Sequence, residues 1–259
     1  MPGSIRLEHK ADISEIILDK PQKRNALSLD MWAALSALIS ECIARNATKV
    51  VIIHGGDTGH FAAGADISEF AVAYSTPEDA TASGQTIADA LMAVETCPKP
   101  VIAAIEGACV GGGVSLALAC DIRIADMEAQ FGITPAKLGL VYPAGDTRRL
   151  LQAIGPGKAK DLLFTGRLFG TDEASNIGLV DRVAPASKAR LLARTLAADI
   201  ATNSQWSTRG IKHMISGLQA GWLDTDGEAL ALFVDSFAGE DFNEGQTAFL
   251  KKRKANFVF

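Results

Sequence analysis

The stretch Ala108-Cys109-Val110-Gly111-Gly112-Gly113-Val114-Ser115-Leu116-Ala117 decides the fold, read together with Phe61-Ala62-Ala63-Gly64-Ala65-Asp66-Ile67. Both segments are built of small residues, so backbone N–H groups can approach a ligand with no Cβ in the way. The triple glycine follows a strand-like apolar run, Val101 to Glu106, and precedes a helix-like run, Val114 to Cys120. That order sets free amide donors at a helix N-terminus, where the macrodipole favours a negative oxygen. A second amide from the Ala65 segment would complete an oxyanion hole.

Outward from this turn, strand and helix alternate. Ile5–Lys10 and Glu15–Leu18 read as a β-hairpin across Ala11-Asp12. Ser28 is an N-cap with Asp30 in the first turn, for a helix running to about Arg45. Val50–His54, Val101–Ile105 and Asp121–Ala125 are short apolar or β-branched runs that read as buried strands. Thr76-Pro77-Glu78-Asp79 combines a cap, a proline at the first helical position and two acids, and opens a helix reaching Glu95. The spacing predicts an α/β fold with a largely parallel sheet. From Gly157 the pattern becomes helical, over Gly157–Phe164, Thr171–Ile177, Ala186–Asn203, Gln205–Gly217, Asp226–Phe237 and Asn243–Lys254. The expected organisation is one core over residues 1–190 with a helical extension over 191–259.

Composition bounds the function. A chain of 259 residues with 48% hydrophobic content fills one sizeable core. The net charge of −5 gives no global field for nucleic acid or an anionic membrane, and no nucleic-acid or membrane partner is expected. Cys42, Cys97, Cys109 and Cys120 form no C-x-x-C pair and read as buried thiols of a reducing compartment. With no signal-like start and no apolar run of spanning length, the expected location is cytoplasmic. The four histidines show no metal-ligand spacing, so no metal is expected.

Six segments in order resemble the crotonase superfamily, the enoyl-CoA hydratase/isomerase family. They run from Arg24-Asn25-Ala26-Leu27 through Lys99-Pro100-Val101-Ile102-Ala103-Ala104, Gly111-Gly112-Gly113, Cys120-Asp121-Ile122-Arg123-Ile124-Ala125 and Ala174-x-x-x-Gly178-Leu179-Val180. The last is Lys252-Arg253-Lys254-Ala255-Asn256-Phe257. The resemblance implies a spiral of ββα units with a C-terminal helical extension used for trimerisation, assembled as a homotrimer or a dimer of trimers. It implies an acyl-CoA substrate, with coenzyme A as part of the substrate and no tightly bound cofactor. The hole amides would be Ala65 and Gly112. Backbone of Ala26, Ala63, Ala65, Asp66 and Ile67 would meet the CoA portion, Lys23 and Arg24 its phosphates. Phe249 and Lys252 match C-terminal residues that reach a neighbouring subunit's ligand; the competing reading of Lys251–Lys254 is favourable charge at a helix C-terminus.

By the same resemblance, two glutamates hold the water that hydratases add. Ser115 and Pro135 stand at those positions, and Pro143 at a third acidic position of some dienoyl-CoA isomerases. Proline carries no proton-transfer group and serine does not ionise near neutral pH. The run Thr134-Pro135-x-x-Leu138-Gly139-x-x-Tyr142 is similar to one in methylmalonyl-CoA decarboxylase, where the threonine and tyrosine line the acyl pocket. That enzyme has a histidine where Ala65 stands and a glutamate where Ser115 stands. Thr134 could equally cap the turn before Pro135, and Tyr142 could be a packed aromatic. Asp146 is a candidate displaced acid or base, against the plainer reading that it pairs with Arg148 or Arg149. Glu69 is a second candidate base, against a solvated helix charge.

The expected function is therefore acyl-CoA chemistry through a thioester enolate, by decarboxylation or double-bond isomerisation rather than hydration. The alternatives are an atypical hydratase with a relocated acid or base, and a non-catalytic acyl-CoA-binding protein.

Overall fold

The computed structural model describes residues 4–257. The hairpin forms as expected, β1 (Ser4–Lys10) against β2 (Ile13–Asp19), with Ala11 at φ 53° in the turn. Helix α1 (Leu29–Ala44) starts at Ser28, whose hydroxyl accepts the Met31 amide. Next come β3 (Val50–His54), the single-turn helix α2 (Phe70–Ala73) and α3 (Pro77–Glu95), capped by Thr76. Strands β4 (Val101–Ile105) and β5 (Ala108–Val110) lead into α4 (Gly112–Ala119), then β6 (Ile122–Asp126) and β7 (Gln130–Gly132). The remainder is α5 (Ala144–Thr165), β8 (Leu168–Gly170), α6 (Thr171–Asn176), β9 (Arg182–Ala184), α7 (Ala189–Ala201), α8 (Gln205–Gln219), α9 (Gly227–Asp235) and α10 (Glu240–Leu250).

Six strands form one sheet in the order β1-β2-β3-β4-β6-β9, parallel apart from the hairpin. Strands β5, β7 and β8 form a second sheet. The chain passes repeatedly from one sheet to the other: β4 then β5, β6 then β7, β8 then β9. This is the expected spiral, each turn adding a strand to both sheets. A bridge from Ala62 to Cys109 carries the segment after β3 onto the edge of the smaller sheet.

Two expectations are corrected. The region after Gly157 is not purely helical, because β8 and β9 lie within it, and the helix expected from Gly157 is preceded by an unexpected helical segment that starts at Ala144. Gly155 (φ 75°, ψ 165°) followed by Pro156 kinks α5, so the sequence there reads as a break between helices.

Alternation along the strands divides the core. Val51, Ile53, Val101, Ala103 and Ile105 pack with α1, α3 and α4. Val50, Ile52, Ile102 and Ala104 face the other way and pack on Ala189, Ala193, Leu196 and Ala197 of α7. Helix α7 thus belongs to the sheet's packing, although the expected boundary after residue 190 runs through it. Helices α8 to α10 leave Ile211, Leu218, Phe233 and Phe237 exposed. Among the described residues no helix is long and apolar enough to cross a membrane.

Candidate active site

The triple-glycine turn is fixed by steric need. Gly111 is at φ 52°, and a Cβ on Gly113 would lie 2.4 Å from the Ala62 carbonyl oxygen. The Gly111 amide donates to the Gly132 carbonyl (2.8 Å), tying the turn to β7. The facing segment is held as firmly: the Leu27 amide donates to Gly64 (2.7 Å), and the Asp66 amide donates to Leu27 (2.9 Å). The Ala63 amide donates to the Arg24 carbonyl (3.0 Å), so Ala26 and Ala63 lie in one clamped strip. Between these anchors the Gly112 and Ala65 segments lie side by side. A Cβ on Gly112 would sit 3.8 Å from the Ala65 nitrogen and 3.3 Å from Cζ2 of Trp32. Ala65 lines a small pocket with Trp32, Phe70, Ala73, Tyr74 and Ile87.

One helical turn beyond Gly112, Ser115 is 2% exposed and joins two of the sequence-singled residues. Its Oγ is 2.7 Å from the Tyr142 hydroxyl and donates to Oδ2 of Asp146 at 2.8 Å. Asp146 Oδ1 accepts from Arg149 (3.2 Å), whose Nε donates to Glu95 (2.9 Å); Arg148 donates to the same Glu95 (2.7 and 2.8 Å). Burial pushes the Asp146 carboxyl above the usual range, against the opposing pull of Ser115 and Arg149. Burial, then the Asp146 charge, push the Tyr142 hydroxyl upward as well. Tyr142 is both a packed aromatic and a hydrogen-bonded one, and Asp146 does pair with Arg149.

Thr134 stands at the start of the turn Pro135–Leu138, but its side chain makes no capping bond there. It follows Gly132 by two residues and so lies near the glycine turn, without a bond to Tyr142. Glu69 is not free: its Oε2 accepts the Leu29 amide (3.0 Å) at the start of α1. Asp66 caps the turn Ile67–Glu69 through the Ser68 amide (3.1 Å) and binds Lys20 (2.6 Å) and Lys23 (2.7 Å). Burial alone would raise its carboxyl, yet these two ammoniums and Ser68 hold it well below the ordinary range. Lys23 therefore spends its charge on Asp66, whereas Arg24 is exposed at φ 49° and Ile67 is 62% exposed. Phe249 (83% exposed) and Lys252 lie at the end of α10, away from this cluster. His60 accepts the Ala108 amide (3.2 Å) and is part of the loop's structure. Among the described residues no three His, Cys, Asp or Glu side chains converge as a metal site.

Sequence reasoning named Arg149 as a partner of Asp146, gave Ser115 no role of its own, and missed Glu95. A serine at a vacated acid position carries no signal until Asp146 is seen beside it, and the Glu95 partnership joins α3 to α5.

Comparison with known proteins places the chain in a family and a fold. The family model for enoyl-CoA hydratase/isomerase matches residues 8–258. A crotonyl-CoA hydratase of Syntrophomonas wolfei is 36% identical, the match covering 98% of each chain. A short-chain-enoyl-CoA hydratase of Clostridium acetobutylicum is 34% identical over 97% of this chain and 96% of its own. The crystal structure of an enoyl-CoA hydratase/isomerase family protein from Hyphomonas neptunium superposes with a TM-score of 0.97 at 59% identity, covering 98% of this chain and 97% of that one.

Proposed function

The chain belongs to the enoyl-CoA hydratase/isomerase family, and from that premise we propose that it shifts a double bond within an acyl-CoA, using Asp146 as its proton store. The observation that carries this reading is the hydrogen-bonded chain from Tyr142 through Ser115 to Asp146, at 2.7 and 2.8 Å. The thioester oxygen sits between the Ala65 and Gly112 amides, which stabilise the charge that develops there. As a proton leaves C2 of a 3-enoyl thioester for the Tyr142 oxygen, the tyrosine's own proton passes to Ser115 and that of Ser115 to Asp146. The resulting dienolate takes a proton back at C4 by the reverse path, giving the 2-enoyl thioester. A buried Asp146 favours the neutral form it holds in between.

Hydration by two carboxylates finds little support, since Ser115 and Pro135 occupy the corresponding positions and Asp146 offers one acid. Decarboxylation is the second reading. It is favoured by Thr134, a half-buried side chain beside the glycine turn that makes no capping bond. The CoA portion is proposed to run along Ala63–Ile67, with Arg24 rather than Lys23 open to its phosphates. The exposed apolar residues of α8 to α10 support assembly as a trimer or dimer of trimers, which would bring Phe249 and Lys252 to a neighbour's ligand. Sedimentation velocity tests the assembly.

Mass spectrometry of 3-enoyl-, crotonyl- and methylmalonyl-CoA incubated in D2O tests the reaction. Conversion of the 3-enoyl thioester to its conjugated isomer, lost in Asp146→Asn, is the expected result. Addition of water to crotonyl-CoA at comparable rate overturns it. Loss of CO2 from methylmalonyl-CoA installs the second reading, and binding without turnover makes the protein an acyl-CoA carrier.

A further inference from the structure

Trp32 is 2% exposed, yet no hydrogen bond is found for its indole N–H among the described residues, and that nitrogen is not among the fully enclosed polar atoms lacking a partner. The little surface Trp32 retains must therefore include the N–H. Covalent geometry places it on the ring edge nearest Gly112. Cζ2 and Nε1 are both bonded to Cε2, so they share one edge of the indole. Cζ2 is the atom 3.3 Å from where a Gly112 Cβ would stand, and the Ala65 nitrogen is 3.8 Å from that same point. Trp32 and Ala65 line one pocket, closed opposite by Phe70 and Tyr74, whose rings meet edge-on at 5.0 Å.

A buried donor without an acceptor costs free energy unless a ligand supplies one. We propose that Trp32 determines substrate specificity: its N–H edge binds an oxygen carried by a short acyl chain, and its ring walls off longer ones. The substrate class is thus a short 3-enoyl-CoA whose acyl chain also carries a hydroxyl, keto or carboxylate oxygen beyond the thioester. The inference rests on the placement of the thioester at Ala65 and Gly112 proposed above. One donor of this kind is neutral and single, so it selects for the presence of an oxygen and not for its charge. Discrimination of this sort is strongest when the unoxygenated analogue leaves the buried N–H unpaired.

Titration calorimetry with butyryl-CoA and 3-hydroxybutyryl-CoA, equal in chain length, provides the test. The wild type is expected to bind the hydroxylated ester about 3- to 10-fold more tightly. Trp32→Phe keeps a ring in place but removes the donor, and should bring the two affinities together. On the wild type itself, the Trp32 indole N–H resonance should move downfield with 3-hydroxybutyryl-CoA and stay near its free position with butyryl-CoA. This second readout stands whether or not the variant folds. Equal affinities in the wild type, or an unmoved resonance, overturn the proposal while leaving the isomerase reading intact. Failure of either ester to bind at all overturns both.

Discussion

A carboxyl group buried next to a serine hydroxyl is unfavourable to stability and useful to chemistry, and Asp146 shows both sides. Its folded midpoint lies above the unfolded one, with burial the largest cause. The linkage sign follows: the ionised form is penalised in the folded state, so this group's contribution to stability is greatest below its unfolded midpoint and declines as pH rises through the folded one. Asp146→Asn, which keeps shape and an acceptor for Ser115, should therefore raise the thermal midpoint at pH 8 while lowering turnover by about 100-fold or more. A variant that loses activity and stability together would make Asp146 a structural ion-pair partner instead. Arg149 acts on the reaction through Asp146, since its charge opposes the upward shift. Arg149→Gln should move the acid limb of the kcat–pH profile to higher pH, a displacement that a purely structural role would not produce.

At the scale of elements, the start of α4 is where function and folding constrain the same residues. Gly113 cannot bear a side chain, because the Ala62 carbonyl oxygen is 2.4 Å from the Cβ position. Gly113→Ala should cost about 1–3 kcal/mol, read as a lowered denaturation midpoint, as backbone cannot yield as a flexible side chain would. This turn was legible in the sequence because its glycines stand between a strand-like and a helix-like run and fall in order with five other segments of the family resemblance. So were the Ser28 and Thr76 caps, whose side chains bond Met31 and Asp79 as their spacing requires. The smaller sheet was not legible, nor was β9 at the edge of the larger one. Strands β5, β7, β8 and β9 are three residues each, too short for an alternation to register, and pairing with distant partners defines them. The first half of α5 was hidden by Gly145, Gly155 and Pro156, which read as breakers. The relay was half legible: Tyr142 drew attention through the resemblance of its run to a decarboxylase's, and Asp146 as a displaced acid just after it. Ser115 was dismissed because a lone serine does not ionise, and 31 residues of chain separate it from the carboxylate it serves.

For the whole molecule, the question is what fastens α7 to the face of the sheet opposite α1, α3 and α4. Apolar packing of alanines on Val50, Ile52, Ile102 and Ala104 provides area but little that fixes the helix's position along the strands. Glu15 supplies that positional lock. It is 1% exposed on β2 and takes two bonds from Arg194 of α7, at 2.6 and 2.8 Å. Lys10 (2.8 Å) and His54 of β3 (3.3 Å) complete its surroundings. Burial opposes its ionisation, but the hydrogen bonds from Arg194, His54 and Lys10 prevail and hold the carboxyl far below its ordinary 4.5. For a carboxyl depressed in this way, the stabilisation is complete above the unfolded midpoint and is lost as pH falls below it toward the folded one. Glu15→Gln should accordingly lower the denaturant midpoint at pH 7, and the gap to the wild type should narrow on titration from pH 5 to pH 3. Arg194→Ala should cost less, about 1 kcal/mol, because the guanidinium is 41% exposed and Lys10 and His54 remain on Glu15. If the Glu15→Gln gap stayed constant across that pH range, the carboxylate's charge would have no part in holding α7, and shape alone would set its position.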